Sequence, residues 1–245
     1  MAEQNDTAPV ALVTGASMGL GLALTRHLVQ DGWRVVADAR NAERLHAALR
    51  PLGDAVTAVP GDVGDAEHRA GLAAAVRSAG RLDLYVANAS TLGTTPLPPL
   101  AEYPPADLSA VLAVNVVAPL AVLQEVMAEL RACRAAVVTI SSDAGVEAYP
   151  GWGGYGMSKA ALDQASAVLA VEEPGLAVYA VDPGDMATAM HAAADPDADP
   201  AELADPADVA AALLALVAAR PPSGRYRLAD VIRTTRRHDV STAGA

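Results

Sequence analysis

The sequence predicts an α/β fold: one domain built on a parallel sheet with helices on both faces. Three observations carry that prediction. Short apolar runs alternate with helix-length amphipathic segments along nearly the whole chain. The runs are apolar at consecutive positions rather than at every second one, so both faces of each strand must be covered. The chain has 245 residues, 52% hydrophobic and 19% charged, which suits one large core and excludes disorder.

The elements follow in order. VALVTG (10–15) reads as a buried strand, and a helix over roughly 19–31 stops at Asp31-Gly32. WRVVADA (33–39) is the second strand, and NAERLHAALR (41–50) is a helix with an Asn cap and a Pro stop. DAVTAVPGDV (54–63) gives a third strand, and the next helix (65–79) ends at Gly80. LDLYVANAS (82–90), AAVVTISS (135–142), LAVYAVDPG (176–184) and RYRLA (225–229) complete seven strands. A long helix spans about 106–131, another runs from 155 to 173, and AAALLALV near 210–217 lies in a buried helix. The expected organisation is a tail over 1–8, one domain over 9–230 with a lid around 185–205, and a tail over 231–245.

The formal charge of −12 argues against a general nucleic-acid-binding role. The start of the chain has neither a basic n-region nor a long apolar stretch, and no run of about 18 apolar residues marks a membrane span. The expectation is a soluble, cytoplasmic protein. Cys133 has no second cysteine to pair with, and the five histidines are scattered, so a metal site is not expected. Of 17 basic residues 16 are arginine, which singles out the one lysine, Lys159.

Thr14-Gly15-Ala16-Ser17-Met18-Gly19-Leu20-Gly21 joins the first strand to the first helix. Glycines there let the backbone approach a ligand, and free helix N–H groups face an anion such as a pyrophosphate. Tyr155 and Lys159 stand four apart at the start of a helix and so share one face. Ser142, thirteen residues earlier at a strand end, can bring its hydroxyl to the same place. A buried tyrosine beside a solvated lysine is the plainer reading of that pair alone. Two long loops, 91–105 and 184–209, also follow strand ends, where open α/β sheets bind ligands.

Glycine loop, Ser142, Tyr155 and Lys159 together resemble the short-chain dehydrogenase/reductase family, and further matches run from about residue 9 to 229. Asp62-Val63 resembles the family's adenine-contacting pair, and Asn88-Ala89-Ser90 its Asn-Ala-Gly turn, with Ser90 in place of the usual glycine. Asn115 falls where the family keeps its catalytic asparagine, and Pro183-Gly184 with Met186 and Thr188 matches the segment beside the nicotinamide. The resemblance implies a Rossmann-type doubly wound sheet of strand order 3-2-1-4-5-6-7. It also implies hydride transfer between a nicotinamide cofactor and a ketone or secondary alcohol. Tyr155 would be the acid–base group, with Lys159 lowering its pKa and binding ribose. Ser142 would polarise the carbonyl, and Asn115 would hold a water that relays protons.

Relatives that use NAD(H) commonly place Asp where this chain has Ala39, and Asp38 should point to the other strand face. Arg40 can clamp a 2′-phosphate, so NADP(H) is the expected cofactor even though Met18 stands where NADP-dependent relatives often carry a base. Substrate walls are expected from 91–103, from Asp143–Gly154 with Tyr149 and Trp152, and from the lid, enclosing a carbonyl or alcohol with an apolar body. Two other functions compete: non-redox acid–base chemistry on the same site, and a dinucleotide-binding regulatory role. The apolar outer faces of the 106–131 and 155–173 helices predict a homodimer, or a homotetramer if a second interface forms.

Overall fold

The computed structural model describes residues 8–229. The first seven residues and the tail from 230, with its Arg233, Arg236, Arg237 and His238, lie outside the described residues. Ala8, assigned to the tail by the sequence reading, is buried.

Seven parallel strands form one sheet: β1 (Val10–Val13), β2 (Arg34–Ala39), β3 (Val56–Pro60), β4 (Leu84–Ala87), β5 (Ala136–Ile140), β6 (Ala177–Asp182) and β7 (Gly224–Arg227). Their order is β3-β2-β1-β4-β5-β6-β7, as predicted. The consecutive apolar positions divide between two cores. Ala11 and Val13 of β1 face a cluster with Leu24 and Leu28 of α1 (Gly19–Gln30), Leu45 of α2 (Ala42–Leu49), and a partner on a later helix, Leu213. Val10 and Leu12 face the opposite cluster, with Leu72 and Val76 of α3 (Ala66–Ala79) and Val122, Val126 and Leu130. Each fully buried Leu or Val contributes roughly 1.5–3 kcal/mol, and that burial fixes which strand face each residue must take.

The segment expected as one helix over 106–131 is interrupted. α4 (Pro105–Leu112) passes into a π turn at Ala113–Val117, then α5 (Ala118–Glu125) and, after Val126, α6 (Met127–Cys133). Pro119 explains the π turn: it has no N–H to give the Asn115 carbonyl, and the Ala118 N–H reaches back five residues to Ala113 instead. Asn115 therefore sits at a helix irregularity. The stretch Pro105–Glu125 is also the one helical run among the described residues long and apolar enough to cross a membrane, by length and composition only, and a third of it is buried.

α7 (Gly153–Glu172) carries Tyr155 and Lys159 in its first turns. The lid region after β6 is more ordered than a plain loop. It forms the short helix α8 (Ala189–Ala194), whose start is capped by Thr188 Oγ1 accepting from the His191 N–H (3.2 Å). A parallel bridge between Met186 and Ala204 closes the base of this excursion. Its backbone bonds are Ala187 N to Ala204 O (2.9 Å) and Ala204 N to Asp185 O (3.1 Å). α9 (Pro206–Ala219), which supplies Leu213, returns the chain to the sheet, where it packs beside α1.

Because all strands run the same way, their carboxyl ends share one edge. The strand order reverses between β1 and β4, which opens a crevice there.

Candidate active site

A cavity of about 340 Å³ lies along that edge. At its centre is the glycine loop. Gly15 has φ +71 and Gly19 φ +53, both left-handed. A Cβ on Gly15 would come within 2.9 Å of the Ala89 backbone, and one on Gly21 within 2.3 Å of the Gly15 carbonyl, so both are required for close packing. α1 starts with no side-chain cap at Met18, unlike α2, which Asn41 caps, and α3, which Asp65 caps. Its first N–H groups are the positive pole of a twelve-residue helix turned to the cavity.

The loop is held from three sides. Thr14 Oγ1 accepts from the N–H groups of Asn88 (3.0 Å) and Ala89 (3.1 Å). Asn88 Nδ2 donates to the carbonyls of Thr14 (2.8 Å) and Gly15 (3.2 Å). Those bonds end β4 at Ala87, short of the strand over 82–90 that the sequence suggested. From β2, Asp38 Oδ1 accepts from the Gly15 N–H (2.9 Å), while Oδ2 accepts from His68 Nε2 (2.9 Å). A Cβ on Gly61 would fall 2.2 Å from His68 Nδ1, so glycine there makes room for the imidazole. Asp38 is thus buried under the glycine loop, with both carboxylate oxygens engaged.

Of the predicted residues, Gly15, Ser17, Met18, Gly19, Leu20, Arg40, Asp62, Val63, Asn88 and Ala89 line the cavity on one side. Ser142, Tyr155, Lys159, Pro183, Gly184, Met186 and Thr188 line it on the other. Thr14, Gly21 and Asn115 stand behind that wall and support it. Thr188 lies close to Gly19, which brings the base of the lid against the glycine loop. Arg40 has no ion pair or side-chain hydrogen bond among the described residues and stands exposed at the cavity rim. Arg44, not singled out from the sequence, joins it there; among the described residues its Nη1 donates only to the Met18 sulfur (3.3 Å), a weak acceptor. The helical pattern of 41–50 marks Arg44 as a solvated surface residue, so only the turn of α2 against the loop reveals it.

The chemical end differs from expectation in three respects. Lys159 is 2% exposed, and its Nζ donates to the Ile140 carbonyl (2.7 Å) while standing 5.3 Å from the centre of the Tyr155 ring. Burial lowers its pKa to about 8, against a smaller opposing pull from Asp163. The Tyr155 phenol, expected to be lowered by that ammonium, is instead pushed well above its ordinary range. Desolvation is the main cause, and the nearby Ser90 hydroxyl opposes it. Ser142 Oγ donates to Asp143 Oδ1 (3.0 Å), and Arg225 Nη2 on β7 holds the Ser142 carbonyl (2.9 Å). The same guanidinium reaches Asp163 (2.9 Å) and Asp182 (3.2 Å), tying α7 and the end of β6 to the serine turn.

Asn115 does not reach the cavity. Its Oδ1 accepts from Ser90 Oγ (3.2 Å) and the Thr91 N–H (2.9 Å). Its Nδ2 donates to the Thr91 carbonyl (2.9 Å) and Ser158 Oγ (2.9 Å). The side-chain amide is committed to these partners. Near Tyr155, Leu92 and Trp152 line the cavity, and Leu97 and Ala194 pack beside them. Tyr149, expected as a wall, is exposed, and its one hydroxyl proton is shared between Glu147 (2.9 Å) and Asp143 (3.0 Å).

An uncapped helix start, a glycine loop and a doubly wound parallel sheet define a nucleotide-binding α/β protein, and the Ser–Tyr–Lys set at one end makes it a candidate enzyme. The short chain dehydrogenase family profile matches residues 9–199. A serine 3-dehydrogenase of Agrobacterium fabrum is 33% identical over 177 residues, 71% of this chain and 70% of that one. A rhamnolipids-biosynthesis 3-oxoacyl-[acyl-carrier-protein] reductase of Pseudomonas aeruginosa is 33% identical over 245 residues, 91% and 93% of the two chains. An Escherichia coli protein of the short chain dehydrogenase type, complexed with NADPH, superposes with a TM-score of 0.83 at 29% identity, covering 90% of this chain and 96% of its own. The chain belongs to the short-chain dehydrogenase/reductase family, a family of oxidoreductases.

Proposed function

We propose that the protein is an NADP(H)-dependent oxidoreductase acting on a ketone/secondary-alcohol pair. The observation that carries this is the placement of Ser142, Tyr155 and Lys159 on the wall of the same cavity that the glycine loop lines. The residues present fit the cofactor. The uncapped start of α1 suits a pyrophosphate, and Asp62 and Val63, which line the same cavity, would contact the adenine if they act as the family's matching pair does. Arg40 and Arg44 offer a 2′-phosphate two guanidinium groups that lack carboxylate partners among the described residues, while the buried Asp38 already accepts from Gly15 and His68. When bound, the nicotinamide supplies or accepts the hydride. The NADPH complex of the Escherichia coli relative supports the same choice.

Tyr155 gives its phenolic proton to the carbonyl oxygen as negative charge develops there, and takes it back in the oxidative direction. Ser142 turns its O–H from Asp143 to that same oxygen, adding a second donor where charge forms. With a pKa of about 8, Lys159 is mostly an ammonium at pH 7, and it stabilises the phenolate left behind. Leu92, Trp152 and Ala194 suit a substrate with an apolar body next to its carbonyl. The names of the Agrobacterium and Pseudomonas relatives concern, respectively, dehydrogenation of serine at position 3 and reduction of a 3-oxoacyl group.

The test is a panel of carbonyl compounds scored for NADPH consumption, with Tyr155→Phe as control. Loss of the proton donor should cost the about 10²–10⁴-fold typical of general acid–base groups while NADPH still binds. A Tyr155→Phe variant that keeps most of the activity would refute the mechanism.

A further inference from the structure

Two hydrogen bonds turn the start of the glycine loop inward onto one residue of β2. The Gly15 N–H donates to Asp38 Oδ1 (2.9 Å), and the Ala16 N–H donates to the Asp38 backbone carbonyl (2.8 Å). Asp38 is buried, so its carboxylate needs a donor on each oxygen to be tolerated there. The second donor is His68 Nε2, 2.9 Å from Oδ2, in the first turn of α3. An ionised carboxylate can only accept, so Nε2 carries a proton in this bond. The imidazole is only 7% exposed, and the chain has made room for it at Gly61, just after β3, where any Cβ would collide with the ring. Asp38 and Gly61 border the cavity; His68 stands behind them and does not.

We propose that His68 is a positioning residue for cofactor binding: by holding the Asp38 carboxylate against Gly15, it sets the glycine loop in the shape that receives a pyrophosphate. The line of action runs from α3 through imidazole and carboxylate to the loop backbone. Without the imidazole, Asp38 Oδ2 has no donor among the described residues, and a buried carboxylate with one oxygen unanswered turns towards water. The cavity that Asp38 borders is where that water lies. Turning draws Oδ1 off the Gly15 N–H. Gly15 sits at φ +71 with no side chain to restrain it, so its backbone is the part of the loop that relaxes most once released. The free N–H groups at the start of α1 then have to be ordered again when an anion binds, and the turned carboxylate brings negative charge towards that anion. Both effects weaken binding of any ligand that carries the pyrophosphate, and neither involves the 2′-phosphate.

The inference rests on the cavity taking a nicotinamide dinucleotide, and its test reads binding rather than turnover. NADPH and NADH are titrated calorimetrically into the parent, His68→Leu, His68→Gln and His68→Asn. The amide nitrogen of glutamine reaches the place of imidazole Nε2, whereas that of asparagine reaches only the place of Nδ1. His68→Leu and His68→Asn should bind NADPH about tenfold more weakly, the lower end of what a hydrogen bond to a charged group is worth, and His68→Gln should stay within about threefold of the parent. NADH carries the same pyrophosphate and should lose as much, which separates this brace from recognition of the 2′-phosphate by Arg40 and Arg44. General damage to the fold would act on glutamine and asparagine alike, so retention by glutamine alone marks the positioning role. If His68→Leu does not fold, the glutamine and asparagine variants make the same comparison. Equal affinity in all the proteins, or equal losses for His68→Gln and His68→Asn, would overturn the proposal and leave the cofactor reading standing. A parent that binds neither NADPH nor NADH would refute the cofactor reading itself, and the proposal with it.

Discussion

Lys159 offers the most quantitative test of the site. Its ammonium is 2% exposed, holds one hydrogen bond among the described residues, to the Ile140 carbonyl, and faces the Tyr155 ring. Burial takes its pKa from an ordinary 10.5 to about 8. At 1.36 kcal/mol per pKa unit, keeping it charged in the folded protein at pH 7 costs about 3 kcal/mol relative to the unfolded chain. Lys159→Met removes the charge and keeps the length of the side chain. Allowing about 1 kcal/mol for the lost hydrogen bond, the variant should be more stable than the parent by about 2 kcal/mol at pH 7.

The pH dependence follows from the sign of the shift. Between about 8 and 10.5 the unfolded parent holds a proton that the folded parent has released, so the parent gains stability as pH rises through that window. Below pH 8 both states are protonated and the group contributes no slope. The advantage of Lys159→Met should therefore be constant below pH 8 and shrink towards pH 10.5. Urea denaturation at pH 7 and pH 10, at one protein concentration, measures it. A variant less stable than the parent at pH 7, or an advantage that does not narrow, would refute the reading of Lys159 as a charge held at a cost. The same variant should lose both turnover and cofactor affinity.

Two further perturbations probe the cofactor and the assembly. Arg40→Ala and Arg44→Ala should each weaken NADPH binding by about ten- to hundredfold, the worth of ~1.5–3 kcal/mol for a charge-assisted bond, and leave NADH binding nearly unchanged in a calorimetric titration; equal losses for both cofactors would remove the arginines from 2′-phosphate recognition. Val117 (58% exposed) and Leu120 on the Pro105–Glu125 stretch, with Val168 and Val171 (82% exposed) on α7, form the uncovered apolar surface of the two helices predicted to pair. Val117→Asp with Val171→Asp should turn a dimer into a monomer in sedimentation at micromolar concentration, and a parent already monomeric there would sink the helix-face argument.

The fold was legible because its strands are buried on both faces, which writes them as continuous apolar runs, and because Asn41 caps α2 and Gly80 ends α3. What could not be read were departures from periodicity that need a three-dimensional partner. The π turn at Asn115 comes from Pro119, a residue common in the first turn of helices, and nothing nearby in sequence says that it will fall in the middle of a longer run. Asp38 could be assigned to the other face of its strand, but its partners Gly15 and His68 lie 23 and 30 residues away. The lid's short helix is hidden in an Ala- and Asp-rich stretch with little hydrophobic pattern. Arg44 and Arg225 were indistinguishable from surface arginines until α2 and β7 were placed. Spacing did show that Tyr155, Lys159 and Ser142 meet. It could not show that burial would push the phenol up, because that depends on how completely α7 is covered.

The distribution of buried polar groups connects these observations. Thr14, Asp38, Asn115, Ser141, Ser158, Lys159 and Asp182 are all buried and all belong to the carboxyl edge of the sheet, whereas the rest of β1, β4 and β5 is almost wholly apolar. Burying a polar group costs free energy unless it is hydrogen-bonded, so a cluster of them persists only where the partners are in place. Thr14 is matched by Asn88 and Ala89, and Asp38 by Gly15 and His68. Asn115 is matched by Ser90, Thr91 and Ser158, and Asp182 by Gly184, Arg225 and Arg227. These closed networks fix the walls of the cavity before any ligand arrives. Lys159 departs from that pattern, since an ammonium has three donors and one carbonyl answers it. In a site where Thr14, Asp38, Asn115 and Asp182 are satisfied, we read the remaining donors of Lys159 as the capacity reserved for ribose hydroxyls and a phenolate, and the stability lost at pH 7 is what keeps that capacity open.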